Sequence, residues 1–156
     1  MTTTIKVDPE LIQLIVIQLT SDLESIKAIK GLTYALTFQP YPRSLLEYTI
    51  RHGENSLSLH PSDGPLVMIL IYATWSEKSD DLIMVNTQRE FVAEIESSAH
   101  ARHSLSRIKL MNYAFKGQDV INGYGPSSRE RLLKASAKYD PTGFFQKVVP
   151  GGFKIL

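Results

Sequence analysis

The sequence predicts an α+β fold of the ferredoxin-like type, a βαββαβ unit whose antiparallel sheet carries helices on one face. Three observations predict it. Short stretches with period-two alternation or β-branched enrichment are interleaved with two long stretches of helical period, in the order β-α-β-(short α)-β-α-β. A length of 156 residues with 43% hydrophobic content fits one compact domain with a real core. No internal repeat or low-complexity stretch interrupts the pattern.

Residues 2–7 are β-branched and alternate weakly, which predicts the first strand. Asp8 then offers an N-cap and Pro9 a first helical position, and Leu11, Leu14, Ile15, Leu19, Leu23 and Ile26 recur at helical spacing up to Gly31. Residues 32–39 alternate with period two and stop at Pro40, a second strand. Residues 42–51 predict a short helix. Turn formers fill residues 53–65, a loop long enough to be functional. The nearly continuous apolar run 66–75 marks a central strand. A second long helix spans 80–101, with Leu82, Val85, Phe91, Val92 and Ile95 on one side, and Asp80-Asp81 suits the positive end of its dipole. A fourth strand is expected at 107–112. Ser127-x-x-Glu130 forms a capping box that starts one more helix, running to the Asp140-Pro141 turn. This divides the chain into an α+β unit, 1–112, and a C-terminal helix and tail, 113–156, packed on it as one domain.

Composition excludes several classes of function. Zero cysteines rule out a disulfide framework, a thiolate zinc site, an iron–sulfur cluster and a cysteine nucleophile. A formal charge of +1 lacks the positive field that non-specific nucleic-acid binding needs, so no nucleic-acid partner is expected. No apolar run is long enough to span a bilayer and no secretory signal opens the chain, so a cytoplasmic location is expected. Charge is uneven along the chain. Eight acids between residues 54 and 100 face Lys78 and Arg89, whereas eight basic residues between 101 and 138 face Asp119 and Glu130. Either the basic part meets an anionic ligand or the two segments pack together or are solvated.

Dinucleotide, P-loop and nucleophile-elbow motifs are absent, and Gly123-x-Gly125 alone is a weak signal. His100-x-x-His103 has the spacing of two metal ligands but no third, and histidine also suits a helix C-terminus, so no metal is expected. The strand faces carry more information. On the amphipathic side, Thr37 and Gln39 of the second strand and Met68, Leu70, Tyr72 and Thr74 of the third build a mostly apolar wall with a few directional polar groups, the make-up of a small-molecule site. The alternative is that these side chains face water or another subunit. With helices on one side only, the second sheet face is expected to be uncovered, and a homodimer through it is expected.

The C-terminal run Leu110-Met111-Asn112-Tyr113-Ala114, with Gln118-Asp119, Tyr124-Gly125, Lys138-Tyr139-Asp140-Pro141-Thr142-Gly143-Phe144-Phe145 and Val149-Pro150-Gly151-Gly152-Phe153, resembles the end of fungal berberine-bridge-enzyme-like FAD-linked oxidases. Upstream, Leu36-Thr37-Phe38-Gln39-Pro40, Pro61-Ser62-Asp63-Gly64-Pro65 and Thr74-Trp75 resemble the same family's substrate domain. The resemblance implies a substrate-domain half and the tail that returns to a flavin domain. It sets Asn112 and Tyr113 beside the isoalloxazine position. It also implies that the histidine and cysteine tethering the flavin lie upstream of the matched region, and the chain has no cysteine to supply.

The expectation that follows is a stand-alone secondary-metabolism enzyme that keeps the substrate fold, uses no cofactor and promotes a non-oxidative cyclisation or isomerisation of a hydrophobic natural-product intermediate. Tyr113, Gln39, Tyr72 and His60 are the candidate acid–base or polarising groups, and Thr37, Met68, Leu70, Thr74 and Asn112 the candidate substrate contacts. Two alternatives stand beside it: a fragment or split half of an FAD-dependent oxidoreductase holding FAD non-covalently, and a non-catalytic binding partner.

Overall fold

The structure, a computed structural model, describes residues 1–53 and 56–155, so Glu54 and Asn55 of the predicted loop lie outside the described residues. Asp8 caps α1 (Pro9–Ile26) by accepting from the Leu11 amide at 3.0 Å, with Pro9 at the first helical position, as its sequence dictates. β1 (Thr2–Lys6) precedes it and β2 (Thr33–Tyr41) follows. The chain then runs through α2 (Arg43–Arg51), β3 (Leu66–Thr74), α3 (Asp81–Ala101), α4 (Pro126–Tyr139) and the single turn α5 (Phe144–Lys147).

The sheet is antiparallel in the order β1-β3-β2. β3 pairs along both its edges, Thr2↔Leu70 to Lys6↔Leu66 on one side and Thr33↔Thr74 to Tyr41↔Leu66 on the other. Its apolar run is buried on both faces. Toward the helices, Val67, Ile69 and Ile71 pack with Leu11 and Ile15 of α1 and Phe91, Val92 and Ile95 of α3. Toward the other side, Leu66 and Met68 pack with Leu46, Ile108, Val120 and Tyr124. Burying each such side chain contributes about 1.5–3 kcal/mol.

Several expectations are revised. The fourth strand does not form at 107–112. Its place beside β1 is taken by one isolated bridge, Ile5↔Leu105, with Lys6 donating to the Ser104 carbonyl at 2.7 Å and Ser106 to the Thr4 carbonyl at 3.0 Å. Gln118 completes the outer edge of β1 with a side chain, accepting from the Thr2 amide at 3.0 Å and donating to the Thr2 carbonyl at 2.7 Å. The second sheet face is not bare. The C-terminal half and α2 cover its Leu66–Met68 end and leave the Tyr72 end open. α4 begins at Pro126 after Gly125, so Ser127 and Glu130 lie within its first turns and form no capping box; Glu130 pairs instead with Lys134 at 2.7 Å. Leu82 and Leu14, read as core-facing, are exposed. β2 runs through Pro40 to Tyr41, because an outer-edge position tolerates a residue without an N–H.

Three ion pairs tie the acidic and basic segments and the helix ends together. Lys109 meets Glu96 at 2.9 Å. Past the end of α3, Arg102 reaches both carboxylate oxygens of Asp8, at 2.6 and 3.0 Å, and Glu10 at 2.8 Å. The guanidinium, helped by the Leu11 amide, holds the Asp8 carboxyl below its ordinary range. A carboxyl depressed in the folded state stabilises the fold at pH values above its unfolded value of about 3.9, and this stabilisation is lost as pH falls through the lower folded value. Asp8→Asn, which preserves a capping side chain, is therefore expected to melt below the parent at pH 7, with the gap closing as the medium is acidified below the ordinary carboxylate range. Thermal melts across that range check it, and a gap independent of pH would show that the ion pair is not its source.

Candidate functional site

On the face of the sheet away from the helices, the register sets Gln39 beside Met68, Thr37 beside Leu70, Ala35 beside Tyr72 and Thr33 beside Thr74. The covering layer ends between the first two of these rows. Met68 has no exposed surface and belongs to the packed cluster, so it supports the wall from below and presents nothing to a ligand. Leu70 is half-buried, Tyr72 is 52% exposed, and Thr37 and Thr74 are exposed.

At the boundary, the 3-10 turn Met111–Tyr113 brings the Tyr113 hydroxyl to Gln39, donating to Oε1 at 3.0 Å across 74 residues of sequence. That bond orients the carboxamide. With Oε1 engaged, Nε2 is left as a donor, and the phenolic oxygen retains its lone pairs as an acceptor. The pair can therefore offer a substrate one donor and one acceptor side by side at the margin of an apolar wall. Asn112, on the same turn, is exposed.

Tyr41 extends the constellation and was missed by the sequence reading. It lies two residues beyond Gln39 on the same face of β2, half-buried against the second cluster. Burial pushes its phenol above the ordinary value, and the neighbouring Tyr113 adds to the shift. Period-two spacing from Gln39 would have found it had the strand not been ended at Pro40.

His60 stands apart from this group. Its hydrogen bonds are local: the ring accepts from the Ser62 amide at 3.2 Å and contacts the Ser62 hydroxyl at 2.8 Å, and its own amide donates to Asp63 at 2.7 Å, a reciprocal cap on the turn Pro61–Asp63. His100 ends α3 while His103 takes a left-handed backbone with φ 55°, so the two do not share a helical face. A groove of about 380 Å³ lined by Leu14, Ile17 and Glu94 opens between α1 and α3, away from the Gln39–Tyr113 pair.

No family model and no solved structure matches the chain. Curated relatives do. An FAD-dependent monooxygenase of Fusarium proliferatum is 29% identical over 99% of this chain and 31% of its own length, and one of Cochliobolus heterostrophus is 36% identical over 77% of this chain and 23% of its own. The chain is similar to part of fungal FAD-dependent monooxygenases. An oligopeptidase of Diaporthe leptostromiformis also matches, 31% identical over 94% of this chain, the matched stretch being 12% of that protein. The chain thus spans about a third or less of the length of these relatives. The expectation of a chain that works without a cofactor is corrected by this finding: the relatives are FAD-dependent, which points to FAD.

The residues fit one side of such a group. The Tyr113–Gln39 pair stands at the edge of the apolar wall, where its donor and acceptor can meet the rim of a planar ring while the wall itself is left to a substrate. Nothing among the described residues forms a glycine-rich phosphate cradle. Gly123-x-Gly125 is occupied by Arg107: a Cβ on Gly123 would come within 2.5 Å of the Arg107 carbonyl oxygen and one on Gly125 within 3.2 Å of its guanidinium. The Arg107 side chain donates to the carbonyls of Gly123 and Ser58, the latter at 3.2 Å.

Two outcomes follow from this geometry. Gly123→Ala forces the Arg107 backbone away and is expected to lose about 1–3 kcal/mol of stability by urea titration; an unchanged midpoint would show that the contact yields freely. Tyr113→Phe and Gln39→Leu are expected to couple by about 0.5–1.5 kcal/mol in a double-mutant cycle, and strict additivity would mean that the two side chains do not interact in solution.

Proposed function

We propose that this chain forms the substrate-side wall of an FAD-dependent oxidoreductase of fungal secondary metabolism, of the berberine-bridge-enzyme-like type, acting on a hydrophobic natural-product intermediate. The observation that carries the reading is the Tyr113–Gln39 hydrogen bond at the open end of the sheet face, in a chain whose relatives are FAD-dependent monooxygenases.

FAD, when bound, supplies the electron sink of such a reaction. Leu70 and Tyr72 bind the apolar body of the substrate and exclude water from it, and Thr37 and Thr74 flank them with hydroxyls. Gln39 orients a substrate carbonyl or hydroxyl through its free Nε2 hydrogens. Tyr113 serves as the positioned acid: its phenolic proton, held at rest by Gln39 Oε1, passes to a substrate oxyanion as that charge develops, and the phenolate left behind takes a proton back from solvent. Tyr41 packs against the same buried cluster as Met111 and Ala114 of the segment that carries Tyr113.

Metabolite profiling of a strain lacking the gene tests the reaction class. Oxidation predicts accumulation of a precursor about 2 Da heavier than the missing product, and oxygen insertion one about 16 Da lighter. A Tyr113→Phe allele is expected to reproduce the accumulation, acid–base groups of this kind being worth about 10²–10⁴-fold in rate. Accumulation of an isomer of equal mass would replace the oxidoreductase reading with cyclisation or isomerisation, and an unchanged profile would sink both.

A further inference from the structure

The segment that carries Tyr113 has one 3-10 turn as its only regular structure, yet the hydroxyl it presents meets a carboxamide on a distant strand. What steadies it lies five residues further on. The main chain of Gln118 donates to the Phe115 carbonyl at 3.0 Å and so closes a turn, Phe115-Lys116-Gly117-Gln118, with Gly117 at φ 92° in its third position. The Gln118 side chain then folds back across that turn. Its Oε1 accepts from the Phe115 amide at 2.9 Å and from the Thr2 amide at 3.0 Å, while Nε2 donates to the Thr2 carbonyl at 2.7 Å.

Closing the edge of β1 requires only the two bonds to Thr2. The bond to the Phe115 amide serves the Tyr113 segment instead, because Ala114 alone stands between Tyr113 and Phe115. With both lone pairs of Oε1 engaged by N–H groups, turning the carboxamide over would set a donor against two donors, so its orientation has one solution. The side chain is half-buried and Thr2 fully buried, and bonds lost there are poorly replaced by water. The two anchors of the segment also come from different strands. Thr2 of β1 pairs with Leu70 and Gln39 of β2 pairs with Met68, so the segment is held from both sides of β3.

We propose that Gln118 is the positioning residue of the candidate site: by clasping the Phe115 amide to Thr2, it sets the place from which the Tyr113 hydroxyl meets Gln39. Gln118 touches neither substrate nor the reacting atoms and acts through Tyr113. That the placed hydroxyl serves as an acid rests on the functional reading above, whereas the placement itself does not. A reacting group displaced by about 1 Å can lose about 10²-fold in rate, which is the scale on which such a clasp matters.

Tyrosine labelled with carbon-13 at the ζ position reports the placement without turnover. The Tyr113 signal is assigned by its loss in Tyr113→Phe, and Gln39→Leu supplies the signal of a hydroxyl deprived of its acceptor. Gln118→Leu removes all three side-chain bonds at similar size. It is expected to move the Tyr113 signal at least half of the way to that reference, and to leave the signal of Tyr34, which packs on the helix side, in place. If circular dichroism shows that Gln118→Leu does not fold, Gly117→Ala replaces it with the same expected displacement. A Cβ at Gly117 meets no atom within 4 Å, so that substitution strains the turn through its φ alone. A folded variant whose Tyr113 signal stays at the parent position overturns the proposal, because Gln118 then only closes the edge of β1. So does an undiminished product level in a Gln118→Leu strain where Tyr113→Phe abolishes the product. A displaced signal together with a Tyr113→Phe strain of unchanged profile upholds the placement and removes the acid role, so the two failures are told apart.

Discussion

The structure depends on one strand having to be covered twice. β3 is apolar along almost its whole length and is held between two neighbours, so neither face can be left to solvent. α1 and α3 answer one face in the way a βαββαβ order provides. The other face is answered by material with little regular structure, the segment from Ile108 through Tyr124, together with Leu46 of α2. That second layer stops short of the end of the strand. The uncovered remainder, around Leu70 and Tyr72, is where an apolar wall and a polar rim meet, and the side chains at the margin, Gln39 and Tyr113, come from the two layers that meet there.

This arrangement is the physical reason for proposing the chemistry on the sheet face and not in the groove between the helices. The groove is lined by side chains of two neighbouring helices with serine and glutamate at its rim, whereas the sheet face brings together groups 74 residues apart and fixes the orientation of one by the other. A carboxamide whose oxygen is already engaged loses less freedom when a ligand binds than a free one does, which is the physical meaning of preorganisation.

Much of the framework was legible because it rests on short-range rules. Asp8-Pro9 announces α1, the alternation from Thr33 announces β2, and the run after Pro65 announces β3. What was not legible rests on contacts that leave no periodic trace. A strand reduced to the single bridge at Leu105 has no alternation to detect, and the left-handed turn at His103 that positions it is carried by a residue type without a strong turn signal. Leu82 satisfies helical spacing yet faces solvent, because period alone does not say where a helix stops touching its sheet. For the site, Gln39 followed from strand alternation and Tyr113 from family resemblance. Their contact was visible to neither argument. The cofactor was misread for a different reason: the absence of a tethering cysteine speaks to covalent attachment and is silent on whether the relatives use the flavin at all.

The side-chain closure of β1 also bears on the order in which the molecule is made. Thr2 leaves the ribosome before all its partners, and its inner one, Leu70, follows soon enough for the β1–β3 ladder to form on the nascent chain. Its outer partner is Gln118, 116 residues away, and the bridge at Leu105 comes almost as late. Over that interval the strand has one satisfied edge and one naked one, in a chain whose long-range pairings are intrinsically slow to form. A single glutamine side chain thus marks the moment at which the nascent sheet ceases to offer its first strand to other chains.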